Sequence, residues 1–196
     1  MDNTSAPTWA VIRLTEDHIE ALVEHYMQLS PDDLRLRFFV GSPTSPERRR
    51  EHMLDVVKGM FQRKAAEQLG IVDPSGGKAL IGVASWGRCS KDPQIADFGV
   101  SVVPGWRGKG LTEALADRAC GDAVQAGCTT MRVGYLYDNA AVHKLLQRLG
   151  NVLPLSRGMG SAKVSLQPYA EEVRCQLGLL AALLEVVDLR SSPAKL

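Results

Sequence analysis

The sequence predicts an α+β domain in which one central sheet, mixed but mostly antiparallel, is flanked by helices. Two patterns support this fold class. Segments with strand character and segments of helical periodicity follow one another in the order strand, helices, three strands, helix, strand, helix, strand. In addition, the turn-forming stretch DPSGG at 73–77 separates two apolar segments, which is typical of a hairpin and therefore of antiparallel pairing.

The amino-terminal part supplies one strand, at 8–14, and three helices. The first helix carries apolar side chains at helical spacing: Ile19, Leu22, Val23 and Tyr26. Thr15 begins this helix, and His18 stands where a complete capping box has Glu or Gln, so we expect no full box. The second helix begins after Ser30, a typical N-cap residue, and a third helix spans 45–61.

Strands and helices alternate through the rest of the chain. Strands are expected on both sides of the hairpin turn within 67–88 and at 94–103, 129–137 and 162–167, and helices at 110–127, 138–150 and 168–189. The inner face of the first of these helices comprises Leu111, Ala114, Leu115 and Ala119. Gly127 is expected to end it, Asp138 or Asn139 to cap the next helix, and Gly150 to close that one.

We therefore divide the chain into a folded domain, 1–166, and a carboxyl-terminal amphipathic helix with its tail, 167–196. One apolar stripe of that helix runs from Val173 to Val187. The stripe packs either on the domain's own sheet or on a second copy of the chain, so a homodimer is one expectation.

Composition excludes several classes of function. A net charge of +1 predicts no broad nucleic-acid surface. The four cysteines form no C-x-x-C pair, which argues against a zinc site and a disulfide scaffold, so no metal is expected. No membrane segment and no signal peptide are recognised, and we expect a cytoplasmic protein.

The stretch SVVPGWRGKGLTEAL at 101–115 carries the strongest chemical signal. An apolar strand passes through a basic, glycine-rich turn directly into a helix. Glycine lets the backbone approach a ligand, and the free N–H groups at a helix start bind anions. Arg107 and Lys109 add positive charge, so a phosphate or pyrophosphate is the natural guest. The alternative interpretation is a helix start with solvated basic residues. The stretch matches neither a Walker A loop nor a G-x-G-x-x-G motif.

VSVVPGWRGKGLTEAL resembles the acetyl-CoA-binding motif of the GNAT superfamily of N-acetyltransferases, Gln/Arg-x-x-Gly-x-Gly/Ala between a strand and a helix. Arg107 and Gly110 match that motif, whereas Thr112 replaces its last Gly or Ala. The stretch MRVGYLYDNAAVHKLLQRLG is similar to the family's next strand and helix, with Asn139 at the usual Asn position. The likeness covers residues 8–166. It implies that acetyl-CoA is the co-substrate and that it is bound by Val102, Val103, Arg107, Gly108, Lys109, Gly110, Leu111, Thr112 and Asn139.

A narrower likeness links YMQLSPDDLRLRFF and ADFGVSVV to the acetyltransferase domain of bacterial protein-lysine acetyltransferases. In that subfamily a catalytic glutamate stands where this sequence has Asp97. We expect Asp97 to be partly desolvated and to act as the base, directly or through a water. The oxyanion donor of the family is a backbone N–H on the strand before the turn, and Val102 is the nearest candidate.

The sequence clearly departs from the family pattern at the acid that protonates the leaving thiolate. Many members place a tyrosine seven residues after the Asn, and here that position is Leu146. Tyr137 is our first substitute and Tyr135, on the same strand face, the second. For His143 we expect a structural role. The thiolate can also leave without an acid, since a thiol has a pKa of only about 8.5.

The sequence thus predicts an N-acetyltransferase that moves an acetyl group from acetyl-CoA to an amine, by direct attack of the amine on the thioester. A small-molecule amine or a protein lysine is the expected acceptor. The alternative is a non-catalytic acyl-CoA-binding or sensing module on the same fold.

Overall fold

In the computed structural model the elements follow the expected order. They are β1 (Val11–Leu14), α1 (Ile19–Met27), α2 (Pro31–Phe38), α3 (Pro46–Phe61), β2 (Ala66–Val72), β3 (Leu80–Arg88), β4 (Ile95–Val102), α4 (Leu111–Gln125), β5 (Thr130–Leu136), α5 (Ala140–Arg148) and β6 (Met159–Ser165). Short 3₁₀ helices precede α1 and α4, at Glu16–His18 and Pro104–Trp106. The structure describes residues 9–39, 41, 43, 45–63, 66–148 and 159–172.

Six strands form one sheet in the order β1 to β6, so that each strand neighbours the next one in sequence. All pairs are antiparallel except β4 and β5, which run parallel because α4 crosses between them. The predicted fold class and mostly antiparallel sheet are confirmed. The parallel pairing ends at Phe98 and Val133, although β4 continues to Val102 and β5 to Leu136. We call the opening between residues 99–102 and 134–136 the fork.

Helices cover both faces of the sheet. On one face α4 packs over β3, where a Cβ at Gly82 would lie 3.2 Å from Leu115 and 3.3 Å from Leu111. Val102 pairs with Gly82 and shares that face, so Ser101 points to the opposite face. There His25 of α1 reaches the Ser101 hydroxyl. The site described below therefore has helices on both sides of its central strand.

The predicted apolar faces form the core. The α1 side chains Leu22, Val23 and Tyr26 and the α4 side chains Leu111, Leu115 and Ala119 are all at most 1% exposed. Ile19 and Ala114 are partly buried and pack against that core, as positions at the edge of an apolar stripe do. Burial of this apolar surface is the main favourable term holding the helices on the sheet.

The helix ends follow the capping signals, with one exception. Ser30 Oγ accepts from the Asp33 N–H at 3.1 Å, and the Asp33 carboxylate accepts from the Ser30 N–H at 3.0 Å. Gly127 follows α4 with φ +87°, as expected of a terminating glycine. The expectation of an incomplete box at Thr15 is wrong, because Thr15 N–H donates to His18 Nδ1 at 3.1 Å. An imidazole nitrogen thus replaces the usual carboxylate.

The carboxyl-terminal helix is described for its first turn, 167–172, in which the Tyr169 hydroxyl donates to Asp117 Oδ1 of α4 at 3.0 Å. Gly150 and the stripe from Val173 to Val187 lie outside the described residues. The division at residue 166 and the homodimer stay predictions. Within the described part of the chain, no helix combines the length and apolar character needed to cross a bilayer.

His25 makes stability depend on pH. Its ring is 0% exposed, with Nδ1–H donating to Leu80 O at 2.8 Å and Nε2 accepting from Ser101 Oγ at 3.0 Å. Burial lowers the pKa of His25 from 6.5 to about 4, although the bond to Leu80 opposes this. The unfolded chain therefore binds the extra proton between those pH values, and the native state loses stability as pH falls below 6.5.

We expect the free energy of unfolding to fall by about 2 kcal/mol from pH 7 to pH 5 through His25 alone. Urea denaturation of the wild type, His25→Asn and His25→Gln at both pH values measures this. Asn can keep the bond to Leu80 O, and Gln can keep the contact with Ser101, so at least one variant should fold. A variant that folds but shows the full wild-type pH dependence would contradict the assignment to His25.

Candidate active site

A cavity of about 640 Å³ opens at the fork. Its walls come from five parts of the chain: the carboxyl-terminal half of β4, the middle of β5, α2, the turn before α4 with that helix's first residues, and the start of α5. The break in pairing between β4 and β5 thus brings together segments that are far apart in sequence. The cavity joins the glycine-rich turn to the point where the two strands separate.

The turn between β4 and α4 presents backbone to this cavity. Gly108 and Gly110 have φ values of +73° and +83°, in the left-handed region that favours glycine. Gly110 is the N-cap residue of α4 and has no side chain with which to cap that helix start. The first N–H groups and the helix dipole therefore make an anion-binding end that opens into the cavity.

Arg107 links this turn to α2 and to β4. Its Nη2 lies 2.8 Å from Asp33 Oδ1, and its Nε donates to Val102 O at 3.2 Å. Partial burial raises the pKa of Asp33, but hydrogen bonds from Ser30 and Arg107 outweigh it and hold the pKa below its usual value. The guanidinium is about half exposed, so donors remain available at the cavity.

Seven of the nine predicted cofactor-binding residues line the cavity: Val102, Arg107, Gly108, Gly110, Leu111, Thr112 and Asn139. Val103 and Lys109 do not. Val103 is only 5% exposed and belongs to the core. Lys109 places Nζ over the Trp106 ring at 4.3 Å from its centroid, and its carbonyl accepts from Trp9 Nε1 at 2.8 Å. Lys109 thus contacts Trp106 and Trp9 rather than the cavity.

Asn139 is the residue that caps α5. Its Oδ1 accepts from the Val142 N–H at 3.2 Å, and the side chain is 8% exposed. The sequence left Asp138 as an equal candidate, but Asp138 instead pairs with Arg35 of α2 at 2.7 Å. The cap fixes the Asn139 amide beside the cavity.

The backbone of Val102 points into the fork. Val103 N–H donates to Ile81 O of β3 at 3.0 Å. Because N–H groups alternate sides along a strand, the N–H of Val102 points away from β3, toward the side where β5 has left the sheet. The predicted oxyanion donor therefore faces the cavity, with no strand partner on that side among the described residues.

Asp97 lies just before the fork but outside the cavity lining. Its carboxylate is 52% exposed and accepts from Arg132 Nε at 2.5 Å and Nη2 at 2.7 Å. The expected desolvation is wrong, since the carboxylate faces solvent and a guanidinium rather than the apolar sheet. The hydrogen bonds that Arg132 donates to Asp97 raise the pKa of Arg132. The role of Asp97 as base stays a prediction.

Neither substitute tyrosine lines the cavity. Tyr137 is 56% exposed, and Tyr135 is 1% exposed within the core. Both rings contact His143, with centroid distances of 6.3 Å and 5.5 Å, so the two tyrosines share a face as expected. Leu146, at the position of the family's tyrosine, is fully buried. A proton donor for the thiolate stays a prediction without support from this geometry.

The sequence interpretation missed the end of α2, which lies over the fork. A Cβ at Gly99 would lie 2.6 Å from Arg37 Cζ, and one at Gly134 would lie 3.2 Å from Phe39 Cζ. Gly99 and Gly134 directly follow Phe98 and Val133, the last paired residues. A glycine inside each of two strands was the signal, since such glycines mark close approach of other groups.

Comparison with known proteins agrees with this geometry. The sequence profile of the Acetyltransferase (GNAT) family matches residues 26–150. Among curated protein sequences, none matches this chain significantly. The fold is similar to the GNAT domain of S. lividans PAT, with 19% identity and a TM-score of 0.65 over 79% of this chain and 89% of that one.

Two similar structures contain coenzyme A. Spermidine N-acetyltransferase from Vibrio cholerae, in complex with CoA and spermine, is 14% identical with a TM-score of 0.59, over 83% of this chain and 98% of that one. PaiA N-acetyltransferase from Thermoplasma acidophilum, in complex with coenzyme A, is 14% identical with a TM-score of 0.60, over 81% and 99%. At such low sequence identities, the structural similarity shows a shared fold and nothing more. The family profile spans more than half of the sequence, and the chain therefore belongs to the GNAT acetyltransferase family.

Proposed function

We propose that this protein is an acetyl-CoA-dependent N-acetyltransferase in which an amine attacks the thioester directly. One observation carries the proposal: the anion-binding start of α4 and the open edge of β4 line the same cavity. CoA has a pyrophosphate at one end of a pantetheine arm and the thioester at the other. A site for it needs an anion-binding turn joined to an extended polar edge, which is the arrangement found here.

In this proposal the pyrophosphate lies at Arg107–Thr112, against the turn and the first N–H groups of α4. The pantetheine arm lies in the fork, where its amides replace the missing strand pairing along β4. The Val102 N–H donates to the oxyanion that forms when the amine attacks the carbonyl. Asn139, fixed by its cap, offers its remaining amide N–H groups to the arm.

The attacking amine must lose its charge before it can react. A lysine-like amine has a pKa of about 10.4, and the neutral form at pH 7 costs roughly 4 to 5 kcal/mol. We propose that Asp97 takes up the proton through a water, because the carboxylate is exposed and lies two residues before the fork. The CoA thiolate leaves without a protein acid, since no tyrosine of the described residues lines the cavity.

The alternative, an acyl-CoA-binding module without catalysis, is favoured by two departures from the family pattern: Leu146, which cannot donate a proton, and Thr112, which replaces the last Gly or Ala of the motif. An acceptor screen separates the two functions. Polyamines, aminoglycosides, amino acids and lysine peptides are incubated with acetyl-CoA, and free CoA thiol is measured. Acetylation of any amine supports the enzyme. CoA binding by calorimetry without turnover supports the module, and the lack of both contradicts the CoA site itself.

Gly110→Val should raise the KM for acetyl-CoA roughly 10- to 100-fold, the scale of a lost hydrogen bond to a charged group. A branched side chain at φ +83° strains the turn and blocks the approach of the pyrophosphate to the helix start. Gly105→Ala is the matched control, because Gly105 lies in the same turn, does not line the cavity, and its Cβ would meet nothing within 4 Å. Equal KM values for both variants would refute the assigned phosphate site.

Asp97→Asn should lower kcat by about 10²-fold while leaving the KM for acetyl-CoA within twofold, since the amide cannot take up a proton. The acidic limb of the pH–rate profile should disappear. Arg132 can still donate to the amide oxygen, so the fold should persist, which circular dichroism checks. If Asp97→Asn keeps the wild-type kcat at every pH, bulk water and not Asp97 takes up the proton of the amine.

Tyr137→Phe removes a single hydroxyl from an exposed ring and should leave kcat within twofold. Tyr135→Phe is the second variant to be measured. Leu146→Tyr is not suitable because the side chain at position 146 is fully buried. Steady-state kinetics of both variants across pH tests the unassisted departure of the thiolate. A fall of about 10²-fold in either variant, the usual scale for a lost general acid, would identify that tyrosine as the donor.

A further inference from the structure

The guanidinium of Arg37 occupies the centre of the cavity wall on the α2 side. It lies against Gly99 of β4, while Phe39 lies against Gly134 of β5, so the end of α2 covers both arms of the fork. Arg37 also lines the cavity directly. A charged group is therefore held over the fork, beside the stretch of β4 that leads from Gly99 to Val102.

Part of the hydrogen-bonding capacity of Arg37 is unused within the described part of the chain. Of the five N–H donors of a guanidinium, one on Nη2 bonds Ser85 Oγ at 2.6 Å, and the guanidinium also hydrogen-bonds the Tyr26 hydroxyl. Nε is buried and has no partner among the described residues. Phe38 contributes its ring face, 5.1 Å from Cζ. The described part of the chain places no carboxylate in ion-pair contact with Arg37.

The ionisable neighbours of Arg37 do not supply the missing negative charge. Tyr26 is fully buried, and burial raises the pKa of its hydroxyl, so it remains neutral. His25 is also neutral at physiological pH, because burial lowers its pKa to about 4. Arg37 is partly buried, and a partly buried charge without a counter-ion is costly, so an anionic ligand would relieve that cost.

Two of the three carboxylates that line the cavity are matched with arginines, and the third, Glu113, lies in the first turn of α4. Asp33 pairs with Arg107 at 2.8 Å, and Asp138 pairs with Arg35 at 2.7 Å. Each of these pairs is neutral overall, whereas Arg37 adds a positive charge. A polyamine acceptor would need the opposite balance, with carboxylates free to hold its ammonium groups.

The phosphates of CoA are too far away to be the counter-ion. Gly99, beneath Arg37, is three residues before Val102, which is about 10 Å along a strand at roughly 3.3 Å per residue. The anion-binding turn begins beyond Val102, at Arg107. The pantetheine arm between the two is uncharged, which leaves the acceptor as the remaining substrate that can bring an anion.

We propose that Arg37 binds a carboxylate of the acceptor, so that the substrate class is an amine that also bears a carboxylate. This inference rests on the proposed function. A bidentate pair between the guanidinium and the carboxylate orients the amine toward the thioester. Free amino acids and lysine residues flanked by Asp or Glu share this chemistry.

Binding and turnover are measured separately. Calorimetry in the presence of CoA compares amino acids with their carboxamides, and Lys-Glu with Lys-Gln peptides, in the wild type, Arg37→Gln and Arg37→Lys. Arg35→Gln is the matched control, since Arg35 lies on the same helix but is already paired with Asp138. Turnover with acetyl-CoA is then measured for the same pairs. The two amines of a pair differ in basicity, but this difference is the same for every variant. Comparing the preference between variants therefore removes it.

The wild type should bind the carboxylate member of a pair on the order of 10- to 100-fold more tightly, and kcat/KM should show the same preference. Arg37→Gln should abolish the preference, Arg37→Lys should retain part of it, and Arg35→Gln should leave it unchanged. A preference restricted to free amino acids or to peptides identifies the source of the carboxylate.

No preference in the wild type, or one that survives in Arg37→Gln, overturns the proposal. An equal loss of kcat for both members of a pair would assign Arg37 to the oxyanion instead and would also overturn it. Carboxylate binding that depends on Arg37 without acetyl transfer would support this inference and refute the proposed activity. If Arg37→Gln fails to fold, the comparison of Arg37→Lys with Arg35→Gln tests the proposal instead. The preference for the carboxylate member should be smaller in Arg37→Lys, and equal preferences overturn the proposal.

Discussion

Pairing between β4 and β5 stops after Phe98 and Val133, and the parts of the candidate site are arranged around that break. A strand edge without a partner leaves N–H and C=O groups that water or a ligand must satisfy. Because the sheet continues on both sides of the break, the opening is held by rigid elements rather than by loops. A ligand can therefore enter the sheet plane without unfolding any part of it.

Helix α2 connects the two ends of this opening. At its start, Asp33 bonds both the Ser30 cap and Arg107 of the glycine-rich turn. At its end, Arg37 and Phe39 lie against the glycines of the fork. The helix is short, and its mean composition is polar, so these tertiary contacts hold it in place more than its own helical propensity does. A shift of α2 would alter the anion-binding turn and the fork together.

The electrostatics of the cavity differ between its ends. The turn offers backbone N–H groups, a helix dipole and a partly exposed guanidinium at Arg107, all suited to an anion that arrives from solvent. The fork contains uncharged backbone, with Arg37 above it. His25 behind the fork stays neutral because its ring is buried between Leu80 and Ser101, so it adds no charge of its own.

The sequence by itself determined the element order, the hairpin, the Ser30 cap of α2, the terminating Gly127 of α4 and the glycine-rich turn, because each depends on residues close together in the chain. Periodicity gave the buried faces of α1 and α4, and the turn identified seven residues that line the cavity. Only the tertiary structure decided what Asp97, Tyr137, Lys109 and Arg37 contact. Those contacts join residues far apart in sequence, such as Asp97 with Arg132 and Arg37 with Gly99. Strand register and helix docking set such distances, and no local pattern encodes them.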